Sequence, residues 1–79
     1  MSAMNDREKI VKLLEEIVPG VDFEKESALV DDGVLESLDM VSVVTELMDA
    51  FDVEITVDDL LPENFNSVDA MLALIDRLR

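Results

Sequence analysis

Ser37-Leu38-Asp39-Met40-Val41-Ser42-Val43-Val44-Thr45-Glu46-Leu47-Met48-Asp49-Ala50-Phe51 has the clearest periodicity in the chain. At about 100° per residue, Met40, Val43, Val44, Leu47, Met48 and Phe51 fall on one broad face. Asp39, Ser42, Glu46 and Asp49 fall on the other. That division predicts an amphipathic helix over 37–51 whose apolar face packs into a core. Leu38, Val41 and Thr45 group at the border of the faces, and Leu38 lies over the polar side, where burial is not available. It is either a contact for a partner or an ordinary scattered surface leucine.

Toward the N-terminus, residues 21–36 lose periodicity, carry Asp31-Asp32-Gly33, and keep apolar anchors at Phe23, Leu29, Val30, Val34 and Leu35. The pattern predicts a long loop pinned to the core, and loops of that length tend to carry function. Before it, Asn5 and Glu8 have capping-box spacing. Ile10, Leu13, Leu14 and Ile17 then recur at helical intervals until Pro19-Gly20 stops them. Beyond the central helix, residues 53–55 read as a linker. Thr56 with Asp59 is placed to cap a short third helix through Leu61, which Pro62 ends. Ser67 reads as the N-cap of a last helix built on Val68, Met71, Leu72, Ile75 and Leu78, with Arg77 and Arg79 complementing its dipole. The expected fold is all-α: a small bundle of three longer helices and one short third helix, with a long loop between the first two.

Composition agrees. The 79 residues are 49% hydrophobic with two Gly, two Pro and three Phe, enough for one domain with one core and suited to helices rather than short strands. A single domain over 1–79 is expected, with 1–5 a flexible N-terminus. Twenty Asp and Glu oppose six Lys and Arg, a formal net charge of -14. This makes nucleic acid and anionic membranes poor partners and basic protein surfaces natural ones. Such self-repulsion also predicts stability that gains from salt. There is no Cys and no His, so disulfides, thiolate nucleophiles, the usual general base and the usual zinc ligands are excluded. Asp31, Asp32 and Glu36 cluster, as do Asp49, Asp52 and Glu54. Neither group has the alternating oxygens and terminal Glu of a calcium loop, and no metal site is assigned. No apolar stretch reaches the roughly 20 residues of a bilayer-spanning helix, and the N-terminus lacks the layout of a signal peptide. A cytoplasmic monomer without membrane insertion is the expectation.

By local rules Ser37 is an N-cap, a hydroxyl just before a helix. A serine nucleophile would need a base that the chain lacks, so an enzyme is not expected. The segment Asp32-Gly33-Val34-Leu35-Glu36-Ser37-Leu38-Asp39-Met40-Val41 resembles the acyl carrier protein family of phosphopantetheine-binding carriers. The resemblance continues through Phe51-Asp52-Val53-Glu54-Ile55 and Pro62-Glu63-Asn64-Phe65-Asn66-Ser67-Val68, and so covers most of the chain.

It implies that Ser37 carries 4'-phosphopantetheine, installed from coenzyme A by a phosphopantetheinyl transferase, with acyl intermediates held on its thiol as thioesters. It further implies docking through Glu36, Leu38, Asp39, Val41, Glu46 and Asp49, with Asp58 and Asp59 beside them. The partners would be that transferase, a loading ligase, and synthases or transferases of fatty-acid, polyketide or related biosynthesis with basic docking patches. Glu36 stands where the common pattern has Asp, and Ser42 where many fatty-acid carriers have an acid, departures that favour specialised carriers. A D-alanyl or other aminoacyl carrier shares the serine motif. From a different class, an unmodified acidic adaptor would use the same helix without Ser37. By the resemblance, Met40, Met48 and Met71 are candidates to line a space for an acyl chain, although core packing is the ordinary use of such residues.

Overall fold

Asn5 starts the first helix as the spacing predicts. Its side chain accepts from the Glu8 N–H at 2.8 Å while Glu8 Oε1 accepts from the Asn5 N–H at 3.2 Å. This is the reciprocal arrangement that satisfies two otherwise orphaned donors. In the computed structural model, which describes residues 4–79, the elements are α1 (Asp6–Ile17), α2 (Ser37–Phe51), a 3-10 turn (Val57–Asp59), α3 (Pro62–Phe65) and α4 (Val68–Leu78). Residues 1–3 lie outside the described part. Helix α1 packs on both α2 and α4, and α3 packs on α4. The shared core is buried Ile10 and Leu14 from α1, Val43 and Leu47 from α2, Phe65 from α3, and Met71, Leu74 and Ile75 from α4.

The long connection between α1 and α2 is pinned as its anchors predict. Phe23, Leu29 and Leu35 are buried, and Val30 and Val34 pack against the core at its edge. Gly33 makes the reversal possible. With φ of 76° it sits in the left-handed region that other residues enter at a cost. There its N–H reaches Val30 O at 3.1 Å and the Asp32 N–H reaches Ala28 O at 2.7 Å.

Two expectations are corrected. Ser37 is not the N-cap of α2 but its first helical residue. Glu36 is the N-cap, in extended conformation, and its N–H donates to Asp39 Oδ2 at 3.1 Å. Serine preference points to position 37, whereas Leu35, buried at the end of the loop, sets the register, and Asp39 supplies the cap from within the first turn.

The second correction concerns the third helix. Thr56 and Asp59 do pair, Asp59 Oδ2 accepting from the Thr56 N–H at 3.1 Å and its hydroxyl at 3.2 Å, but they close only a 3-10 turn. Leu61 is extended (φ −100°, ψ 139°), the conformation forced on a residue before proline. Pro62 therefore does not end a helix; it opens α3 at the first position, where its missing N–H costs nothing.

Candidate functional site

The loop ends at buried Leu35 and hands the chain to α2 with Ser37 exposed at the first turn. The N–H groups of that turn have no intrahelical acceptors, and they mark the positive end of the helix dipole. Ser37 stands on the lining of a cleft of about 420 Å³, with Met40, Val41 and Val44 of α2 as one wall and Leu60, Leu61 and Pro62 as the other. Clefts of roughly 300–1,000 Å³ with apolar walls are the size that holds small organic groups. Thr45, also on the lining, gives its hydroxyl to Val41 O at 2.8 Å, so that polar group is satisfied within the helix. Val41 on the lining is 65% exposed, and Leu38, next to Ser37 in α2, and Val57 of the 3-10 turn are each 83% exposed.

The charge is unevenly placed. All six Lys and Arg lie outside residues 26–76, whereas 14 of the 20 Asp and Glu lie within that span. The unbalanced negative charge therefore belongs to the loop, α2, the 3-10 turn and α3, since the two acids of α4, Asp69 and Asp76, pair with arginines. Two of the three arginines, Arg7 and Arg79, lie where α1 meets α4, and Arg77 donates to Asn64 Oδ1 at 3.1 Å. Arg7 pairs with Asp69 and with Glu24, and Arg79 with Asp6 and Asp76. The hydrogen bonds that Arg7 donates to Asp69 and Arg79 donates to Asp6 push both guanidinium groups further above their ordinary range. Lys9 and Arg79 also stand 5.9 and 6.0 Å from the centre of the Phe51 ring. Nothing basic in residues 26–76 neutralises the Ser37 face from within its own segment.

Of the residues singled out for docking, Glu36, Leu38 and Val41 surround Ser37 and are exposed. Glu46 and Asp49 are exposed farther along α2, the latter about 18 Å down the axis at 1.5 Å per residue. Asp58 is exposed on the 3-10 turn. Asp39 and Asp59 are half-buried, and each commits a carboxylate oxygen to a backbone N–H, so they are only partly turned outward. Of the three methionines considered for an acyl space, Met40 lines the cleft, Met71 is buried in the core, and Met48 packs against the core edge.

Sequence reading missed the far wall. Leu60-Leu61 directly before a proline was the available signal, since such a pair cannot continue a helix and must face something. Among the described residues no group of acidic side chains has the geometry to hold a metal ion, and no helix is long and apolar enough to cross a membrane.

No curated protein matches the chain in sequence. The family model described as phosphopantetheine attachment site matches residues 7–75, a span that runs from α1 into α4 and includes the loop, Ser37 and both walls of the cleft. Domains of this kind are not themselves catalytic; they work with transferases and with biosynthetic enzymes. The chain belongs to the phosphopantetheine attachment site family, whose members carry 4'-phosphopantetheine as a covalent prosthetic group.

Proposed function

We propose that the chain is a single-domain, monomeric acyl carrier whose Ser37 hydroxyl is the attachment point. Its cargo is an acyl group of fatty-acid, polyketide or related biosynthesis. The observation that carries this reading is the position of Ser37, exposed at the first turn of α2 on the lining of an apolar cleft. The residues present fit the group. The open N–H donors of the first turn favour a phosphodiester anion on Ser37, and the apolar walls suit an organic arm and the cargo at its end. Bound phosphopantetheine supplies the thiol that holds cargo as a thioester. The protein's own residues supply attachment, recognition and shelter.

An acyl cargo is favoured over an aminoacyl one because no acidic residue lines the cleft, so an ammonium group placed there would lose water without gaining a partner. The test compares the holo chain loaded with octanoyl and with D-alanyl groups. Octanoyl loading is expected to raise the thermal midpoint by several degrees and to shift the methyl resonances of Val41, Val44, Leu60 and Leu61. D-alanyl loading is expected to change neither. Equal responses to both cargoes would remove the preference for an acyl group.

Recognition is assigned to the anionic face of α2, where rim charges steer association more than they add affinity. Reversing two exposed acids, Glu46→Lys with Asp49→Lys, is expected to lower the association rate with a transferase bearing a basic patch. The loss should be on the order of tenfold at low salt and shrink as salt is raised. Surface plasmon resonance at two ionic strengths measures it, and an unchanged rate at low salt would place docking elsewhere.

A further inference from the structure

Asn66 joins α3 to α4 and is half-buried. Its side-chain Oδ1 accepts from the N–H groups of Val30 at 2.9 Å and Asp31 at 3.1 Å, and its Nδ2 donates to Asp31 Oδ2 at 3.0 Å. Its carbonyl oxygen accepts from the Leu29 N–H at 2.9 Å. One residue thus satisfies three consecutive N–H groups of the loop together with the Asp31 side chain. The same loop segment is closed six residues on, where the Leu35 N–H donates to Leu29 O at 2.9 Å. Leu35 is followed at once by the Glu36 cap and Ser37, and Val30 lines the cleft beside Ser37. The carboxamide therefore reaches, through a short hydrogen-bonded path, the segment that delivers Ser37.

We propose that Asn66 is a positioning residue for Ser37, clipping the Leu29–Asp31 segment to the α3–α4 junction so that the serine hydroxyl is presented in one orientation to the modifying enzyme. This rests on Ser37 being the attachment residue. Carboxamide geometry is required because one group must accept from two backbone N–H donors and donate to a carboxylate at once. The docking residues of α2 are held independently by Val43 and Leu47 in the core. Losing the clip should therefore disturb the chemical step rather than the encounter.

The test uses the full apo chain as substrate for a broad-specificity phosphopantetheinyl transferase with coenzyme A and magnesium, at temperatures well below unfolding. Asn66→Ala is expected to lower kcat on the order of tenfold while KM stays within about twofold. Asn66→Asp brings two carboxylates together and is expected to fall in the same way. The double exchange Asp31→Asn with Asn66→Asp puts the amide at position 31 and the carboxylate at position 66. It keeps both backbone N–H contacts to the oxygen of residue 66, rebuilds the side-chain contact with donor and acceptor exchanged, and is expected to recover kcat. Amide hydrogen exchange gives a second readout independent of loading: protection of Val30 and Asp31 is lost in Asn66→Ala and regained in the double exchange, while Val43 and Leu47 keep theirs. Wild-type kcat in Asn66→Ala, or no recovery in the double exchange, overturns the assignment. Failure of the wild-type chain to accept the group would instead overturn the attachment reading, and the exchange data would then still decide whether the clip exists.

Discussion

Ser37→Ala is expected to leave the chain at its unmodified mass after incubation with coenzyme A, magnesium and a broad-specificity transferase, under conditions in which wild type gains one phosphopantetheine. The loss should be complete because no other serine in the described structure combines the needed features. Ser42 lies within α2 on its polar side, a full turn from the free N–H groups. Ser67 begins α4, but its hydroxyl oxygen already accepts from the Ala70 N–H at 3.0 Å, and Ser27 belongs to the loop. The fold should barely notice the change. An N-cap serine replaced by Ala would cost about 1 kcal/mol, but Ser37 is one residue inside the cap. There Ala is a good helix former, and an exposed substitution of this kind shifts stability by no more than about 0.5 kcal/mol. Intact mass and a thermal melt on the same sample separate the two effects: lost loading with an unchanged midpoint marks a chemical role. Retained loading would move the attachment to another residue, and the acidic-adaptor reading would follow if neither protein gained mass.

Phe65→Ala carries the largest expected effect on the fold. Phe65 ends α3 and is fully buried among residues of the shared core, although α3 itself is only four residues long. So short a helix has no stability of its own, and it stays in place because Phe65 fills the core beneath it. Removing a buried phenyl ring costs about 3–5 kcal/mol. For a domain of this size that corresponds to a fall in thermal midpoint on the order of 20 °C. Because α3 opens with Pro62, and Pro62 with Leu60 and Leu61 forms the far wall of the cleft, partial loosening should also blunt the response to octanoyl loading. Calorimetry of apo Phe65→Ala checks the first part. A midpoint within a few degrees of wild type would mean that the α3 region is held by something other than this ring.

The long helices were legible in the sequence because their signals agreed at every level. In α1 the Asn5–Glu8 box, the Ile10-Leu13-Leu14-Ile17 stripe and the Pro19-Gly20 stop all specify the same twelve residues. In α2 the apolar face from Met40 to Phe51 marked the body and the end of the helix. The region around Thr56–Phe65 was harder for a definite reason. Thr56 and Asp59 form the predicted pair, but a cap sets only where a turn begins. The length of the turn was decided by Pro62, which forces Leu61 out of helical conformation and then starts a new helix. Local preference also misplaced Ser37 by one position, since serine is the better cap, whereas Glu36 takes that place with Asp39, three residues on, accepting from its N–H. The candidate attachment residue Ser37 could be picked out in the sequence by its motif, but its surroundings could not. The cleft depends on bringing residues 60–62 against α2, and the Asn66 clip joins positions more than thirty residues apart. No local pattern encodes either pairing.

The most direct measurement is to load the wild-type chain from coenzyme A, digest it, and map the modified residue by fragmentation mass spectrometry. The expected result is a single phosphopantetheine on Ser37, with Ser27, Ser42 and Ser67 unmodified. Phosphopantetheine on any of those serines, or on no residue with several transferases, would contradict the assignment of Ser37 as the point from which this carrier works.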